Sequence, residues 1–324
     1  MKKKLINVIL SVIILIILYI YINCDLYSKN ICNSDNLISI LSNEEKIINI
    51  NNKSNSKYIY NIYISNKKYQ LNDMEIYIDN KLVNNSYIKN NNYIIFKFIL
   101  NKKSNRLLSI KIKSSNKTKY KIHFNKIKYN ERIIDYLKKK SSKNNYYIDT
   151  DGAKEVYKIS DNYKYIGNIP NNFLYFNCLN QNLSSCELWR IIGIQKKNKE
   201  ESLKIIKYSN ENYNNSNYSI YENNKYLMKS SDISILSIND YIDSYKMVNN
   251  KCVKNIYNCN KKSYLTPKKN ELIDNNGIIT SVSNKGNIIK NKVHTNLYRP
   301  VIYLKKNIIV MGGEGSFERP YFLK

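Results

Sequence analysis

"CELWRIIGI", residues Cys186 to Ile194, decides how the second half of this chain is read. It holds the only Trp, Trp189, in a chain of 324 residues that carries 31 Tyr. As a strand, it places Leu188, Arg190, Ile192 and Ile194 on one face and Trp189, Ile191 and Gly193 on the other. Gly193 then leaves space for a close backbone approach. Trp189 reads first as a core aromatic with its N–H bonded internally, and second as a stacking platform for a ligand. Arg190 pairs more often with an internal carboxylate or carbonyls than with a ligand. If Cys178 and Cys186 bridge, they close a short loop that fixes the entry of this strand.

Downstream, Arg299-Pro300 opens a second strand, "VIYL" (Val301 to Leu304), where Pro suits the first position. Trp189, Arg190 and Arg299 are the candidate binding residues. "GGEG" (Gly312 to Gly315) reads as a turn, because a phosphate cradle needs a Lys and a strand-to-helix context. "DTDG" (Asp149 to Gly152) supplies two carboxylates but not the rest of a calcium loop, and also reads as a turn. "SIND" (Ser237 to Asp240) is no stronger.

Together these stretches form a pattern. "YKYIGNIPNNFLYFNC…CELWRIIGI", "DISILSINDY", "KKSYLTP" and "LYRPVIYLKKNIIVMGGEGSFERPYFL" resemble an uncharacterised exported domain family of low-GC Gram-positive gut bacteria. The resemblance covers roughly residues 146–324. It implies a compact, irregular α+β domain, distantly like the formylglycine-generating-enzyme and C-type-lectin group of folds, with no established activity. This chain departs from the pattern in two places. Its middle section (about Ser209 to Ser230) is short and of low complexity, and Tyr264 stands where a Trp is expected.

The preceding half is built differently. All eight Gly and all four Pro lie after residue 150. Residues 51–150 carry 22 basic and 6 acidic side chains, whereas residues 151–250 carry 12 and 11. "KYIYNIYIS" (Lys57 to Ser65), "MEIYID" (Met74 to Asp79), "YIIFKFIL" (Tyr93 to Leu100), "RLLSIKIK" (Arg106 to Lys113) and "KYKIHF" (Lys119 to Phe124) are β-branched and aromatic. Several alternate with period two, which predicts a basic, Ig-like β-sandwich over residues 45–128. Without Gly, its turns must use Asn at positive φ. "ERIIDYLKKK" (Glu131 to Lys140) predicts a short helix with cations at its C-terminal end, in a linker over 129–145. The C-terminal domain follows, over 146–324.

The N-terminus sets the expected compartment. Three Lys precede an uncharged stretch from Leu5 to Ile22, long enough to span a bilayer, with no small-x-small cleavage site after it. Residues 1–24 therefore read as a signal anchor in the cell membrane, N-terminus inside, with residues 25–44 as a linker and the rest outside. Cleavage, or lipidation at Cys24, are the alternatives. In an exported chain six Cys suggest disulfides. They fall in three local couples: Cys24 with Cys32, Cys178 with Cys186, and Cys252 with Cys259. Proximity favours the last two, and leaves Cys24 with Cys32 as a possible third pair. His123 and His294 are the only His, and no Cys pair has metal-ligand spacing, so neither metal nor cofactor is expected.

No G-x-S-x-G, H-E-x-x-H or P-loop is present. The leading expectation is a membrane-anchored surface protein whose C-terminal domain recognises a glycan, wall polymer or host protein without catalysis. A structural envelope subunit, held on anionic wall polymer by its basic sandwich, is the second reading. An enzyme working around Cys252, Cys259 and His294 is the third. Net charge of +28 suggests anionic partners, although Asn/Lys/Ile/Tyr-rich composition accounts for part of it. Export argues against nucleic acid.

Overall fold

A computed structural model describes residues 37–66, 74–82, 88–90, 93–115, 117–141, 147–149, 163–179, 183–197, 199–213, 224–228, 233–244, 263–289 and 295–324. The expected anchor lies outside these residues. So do Cys24 and Cys32, the possible third disulfide pair, and Cys252, Cys259 and His294. Among the described residues no helix is long and apolar enough to cross a membrane. The chain divides into two compact units, Met1–Tyr129 and Asn130–Lys324.

Among its described residues the first unit is all β. One sheet contains β1 (Leu37–Leu41), β3 (Tyr58–Ser65), β6 (Ile88–Asn90), β7 (Tyr93–Leu100) and β9 (Lys119–Lys128), in the order β1-β9-β3-β7-β6. The other contains β2 (Glu45–Asn52), β4 (Met74–Ile78), β5 (Lys81–Leu82) and β8 (Ser104–Ser114), in the order β2-β8-β4-β5. Alternation explains the packing of the two sheets. Ile48 and Ile50 from β2, Ile62 and Ile64 from β3, Leu108, Ile110 and Ile112 from β8, and Tyr120, Ile122 and Phe124 from β9 share one core between the sheets. Each such Ile or Leu contributes about 1.5–3 kcal/mol of burial. His123 points the other way on β9 and lies 6.0 Å from the Tyr63 ring.

Two features differ from expectation. The expected linker over 25–44 supplies β1, which pairs with β9 from Leu37↔His123 to Leu41↔Lys119. The strand order also departs from the immunoglobulin pattern, in which the last strand lies beside the one before it. Here β9 lies between β1 and β3, and β8 is in the opposite sheet. The turns are made as expected without Gly. Asp79 and Asn80 both take positive φ (50° and 61°) in the two-residue link from β4 to β5, the requirement of a type I′ hairpin.

The second unit opens with α1 (Ile133–Lys140). This is the short helix expected over 129–145; it buries Ile133, Ile134 and Leu137, and the Ile133 N–H donates to the Ile308 carbonyl at 2.9 Å. The main sheet runs β10 (Tyr147–Asp149), β11 (Tyr163–Tyr165), β13 (Glu187–Lys197), β14 (Glu200–Lys207) and β20 (Val301–Leu304), and β12 (Phe173–Phe176) also pairs with β13. Asp149 of the "DTDG" stretch closes β10, and the residues after it lie outside the described set. Trp189 to Ile194 are buried on both faces of β13. Gly193 faces β11 so closely that a Cβ there would lie 2.2 Å from the Tyr163 carbonyl oxygen.

The remaining elements are short. β15 (Glu211–Asn212) pairs with β19 (Leu297–Tyr298), β16 (Glu271–Asn275) with β17 (Ile278–Val282) and β17 with β18 (Ile288–Ile289), and β21 (Val310–Gly312) with β22 (Phe322–Leu323). The helix α2 (Ile238–Asp243) is capped by Ser237, whose hydroxyl accepts from the Asp240 N–H at 3.2 Å. The "SIND" stretch is therefore a helix start.

Candidate functional site

Several of the sequence stretches of the second unit meet at Arg190. Its Nε donates to Asn172 Oδ1 at 2.8 Å, and its Nη atoms reach the Pro170 carbonyl at 3.3 Å and the Tyr264 carbonyl at 3.4 Å. The guanidinium lies 4.2 Å from the Phe173 ring centre and 4.8 Å from that of Tyr264. Asn172 in turn donates to the Ile191 carbonyl at 2.7 Å and accepts on its own carbonyl from the Ile191 N–H. Burial draws the pKa of the Arg190 guanidinium down to about 10, and burial likewise pushes that of the Tyr264 phenol up. The glycine loop closes the same knot: a Cβ on Gly315 would lie 2.1 Å from the Asn171 carbonyl.

Arg299 makes a second set of buried contacts, which reaches Leu265, the residue after Tyr264. It holds both carboxylate oxygens of Glu271, at 2.8 and 2.6 Å, and donates to the Leu265 carbonyl at 2.5 Å. Such a bidentate fork fixes geometry as well as charge. Trp189 is fully buried, edge-on to Phe176 with ring centres 5.5 Å apart, and donates to Glu187 at 3.1 Å. The three candidate binding residues therefore sit in the interior and bind other parts of the chain. Cys178 and Cys186 form a disulfide, as their proximity predicted. The pairings of Cys24 with Cys32 and of Cys252 with Cys259 fall outside the described residues.

Helix α2 presents Asp240 and Asp243 to the sheet. Asp240 receives Lys204 at 2.5 Å, Gln195 at 3.0 Å and the Ser237 hydroxyl at 2.5 Å, while Asp243 is held by Lys164. Burial opposes the charge on Asp240 and on Lys204. Their attraction wins, leaving the carboxyl below and the ammonium above their ordinary ranges. The sequence signal for this helix was the Ser237/Asp240 spacing of a cap. Among the described residues no cluster of three or more His, Cys, Asp or Glu could hold a metal ion.

Among the described residues the second unit exposes two aromatic side chains, Tyr213 and Phe317. Phe317, in the loop after the glycines, is 56% exposed. Its ring centre lies 5.3 Å from that of Phe173 and 6.1 Å from that of the half-buried Tyr208. The exposed Lys268 stands 4.5 Å over the Tyr208 ring. This shelf rests directly on the Arg190 knot through Phe173. An apolar residue placed inside a Gly-rich turn was the available sequence signal. No model of a known protein family matches the chain, and no curated protein matches it significantly.

Proposed function

We propose that this chain is a membrane-anchored bacterial surface protein whose second unit recognises a glycan without performing catalysis. The apolar stretch Leu5 to Ile22 is the anchor, and the lectin-like reading of the second unit supplies the role. The observation that carries it is the contrast within that unit. Its buried charged side chains, Arg190, Arg299, Glu271, Lys204 and Asp240, are bonded within the unit, while Phe317, Tyr208 and Lys268 present a ring surface and an ammonium to solvent. An exposed ring beside a donor suits the apolar face and hydroxyls of a sugar.

The test is retention of the full chain, in nonionic detergent, on isolated Gram-positive cell walls. At about 1 M salt the screening length is about 3 Å, so retention by exposed charge is lost. Retention that survives there and falls at least about tenfold in Phe317→Ala, equivalent to about 1.4 kcal/mol, supports the reading. Retention that disappears with salt, or that Phe317→Ala leaves intact, refutes it.

A further inference from the structure

We infer that one end of the sandwich is a preorganised binding platform for a linear polyanion bearing repeated phosphates. This site is separate from the aromatic shelf and does not depend on it. Three segments meet at this end: the 53–57 loop joining β2 to β3, the 101–103 loop joining β7 to β8, and the last residues of β9. They carry Lys53, Lys57, Lys102, Lys103, Lys126 and Lys128, all exposed. None of these six makes an ion pair among the described residues.

The described carboxylates of the unit lie elsewhere. Glu44, Glu45 and Glu75 sit at the opposite end, where β2 and β4 begin and where Lys113, Lys117 and Lys119 are also found. Asp79, after β4, is bound to Arg106 at 2.6 Å. The two ends of one sandwich therefore differ in sign balance, although both are rich in Lys.

The cationic end is also held in shape. Asn52, buried at 4% exposure, donates to the Ser56 carbonyl at 2.8 Å and the Asn101 carbonyl at 2.7 Å, and accepts from Ser54. The Lys103 N–H donates to the Ser54 carbonyl at 3.1 Å, which ties the two loops together. Two of the ammonium groups rest on rings: Lys57 is 4.6 Å from Tyr129 and Lys126 is 5.6 Å from Tyr58. Charges fixed before binding lose less entropy on binding.

The geometry favours a linear polymer over a flat surface. The cations run from β9 to the adjacent β3 and then across the loops to the second sheet. With strands about 4.8 Å and sheets about 10 Å apart, that row is on the order of 15–20 Å long. A chain with several phosphates along its length can lie across it and release the counterions they hold.

The test uses the full chain in nonionic detergent and linear polyphosphate as the probe, titrated over a salt series. A variant K102Q/K103Q/K126Q/K128Q is compared with K81Q/K113Q/K117Q/K119Q, which loses the same charge away from this end. The first variant should bind at least about tenfold more weakly and lose about 3 from the salt slope, at about 0.7 per phosphate contact. The second variant changes affinity less than about twofold. Equal losses in both variants would show a net-charge effect and overturn it. So would binding of inorganic phosphate, at matched phosphate concentration, as tight as that of polyphosphate, because a row built for a linear polymer gains from repeated contacts.

Discussion

The sandwich keeps its charges outside and packs its two sheets through apolar groups, whereas the second unit folds around charges it has buried. In the first unit the sheets meet through Ile, Leu, Tyr and Phe, each one of many similar contributors. In the second, Arg190, Arg299, Glu271, Lys204 and Asp240 are all interior, and each is fixed by specific partners. A core of many interchangeable apolar groups tolerates sequence drift and low-complexity composition. A core of a few partnered charges does not, because losing one partner strands the other. That is why the first unit can be roughly two-thirds Asn, Lys, Ile and Tyr, while the second holds all the Gly and Pro and the one Trp.

The contrast is measurable with hydrogen exchange followed peptide by peptide, which reads each unit in the intact chain. Arg299→Met leaves the Glu271 carboxylate buried without its partner. It should cost about 3–5 kcal/mol of protection in the second unit and little in the first. If both units lose protection equally, they do not fold as separate bodies. Ile110→Ala makes the reciprocal change. It leaves a cavity in the sandwich and should cost about 2–5 kcal/mol there, toward the low end if the Ile-rich surroundings relax into the space.

Acid gives the third and smallest contrast. The Asp240 carboxyl is held low in the folded state, so its stabilising effect is present above its unfolded value of about 3.9 and is lost as pH falls through the folded value. Glu44, Glu45 and Glu75 of the sandwich are exposed. Protection should therefore fall first in the second unit as pH drops below about 4, and Asp240→Asn should remove that pH dependence. An earlier loss in the sandwich would contradict the assignment.

Much of the sandwich could be read directly from alternation. Strands predicted at Lys57 to Ser65, Tyr93 to Leu100 and Arg106 to Lys113 correspond to β3, β7 and β8. β1 and β2 were missed for a physical reason. "EKIININN" alternates Ile with Asn, and Asn signals turns as readily as an exposed strand face. Strand order was not legible, since pairing between distant strands leaves no local mark. In the second unit Gly193 predicted a close approach, and the backbone of β11 provides it. The partners of Arg190 and Arg299 could not be named, because Asn172 and Glu271 lie far along the chain and nothing local distinguishes them. The shelf was hidden for another reason. Phe317 looks like any apolar residue until the loop around it is seen to leave it outside.

The burial of Trp189 has an optical consequence. It is the only indole in the chain, and it lies wholly within the second unit, against Phe176 and Glu187. The described residues of the sandwich absorb only through Tyr and Phe. Excited at the red edge of the absorption band, the protein emits from one known depth in one of its two bodies. Its fluorescence is thus a built-in label, and it reports on the integrity of the charged core while staying dark to the fate of the other half.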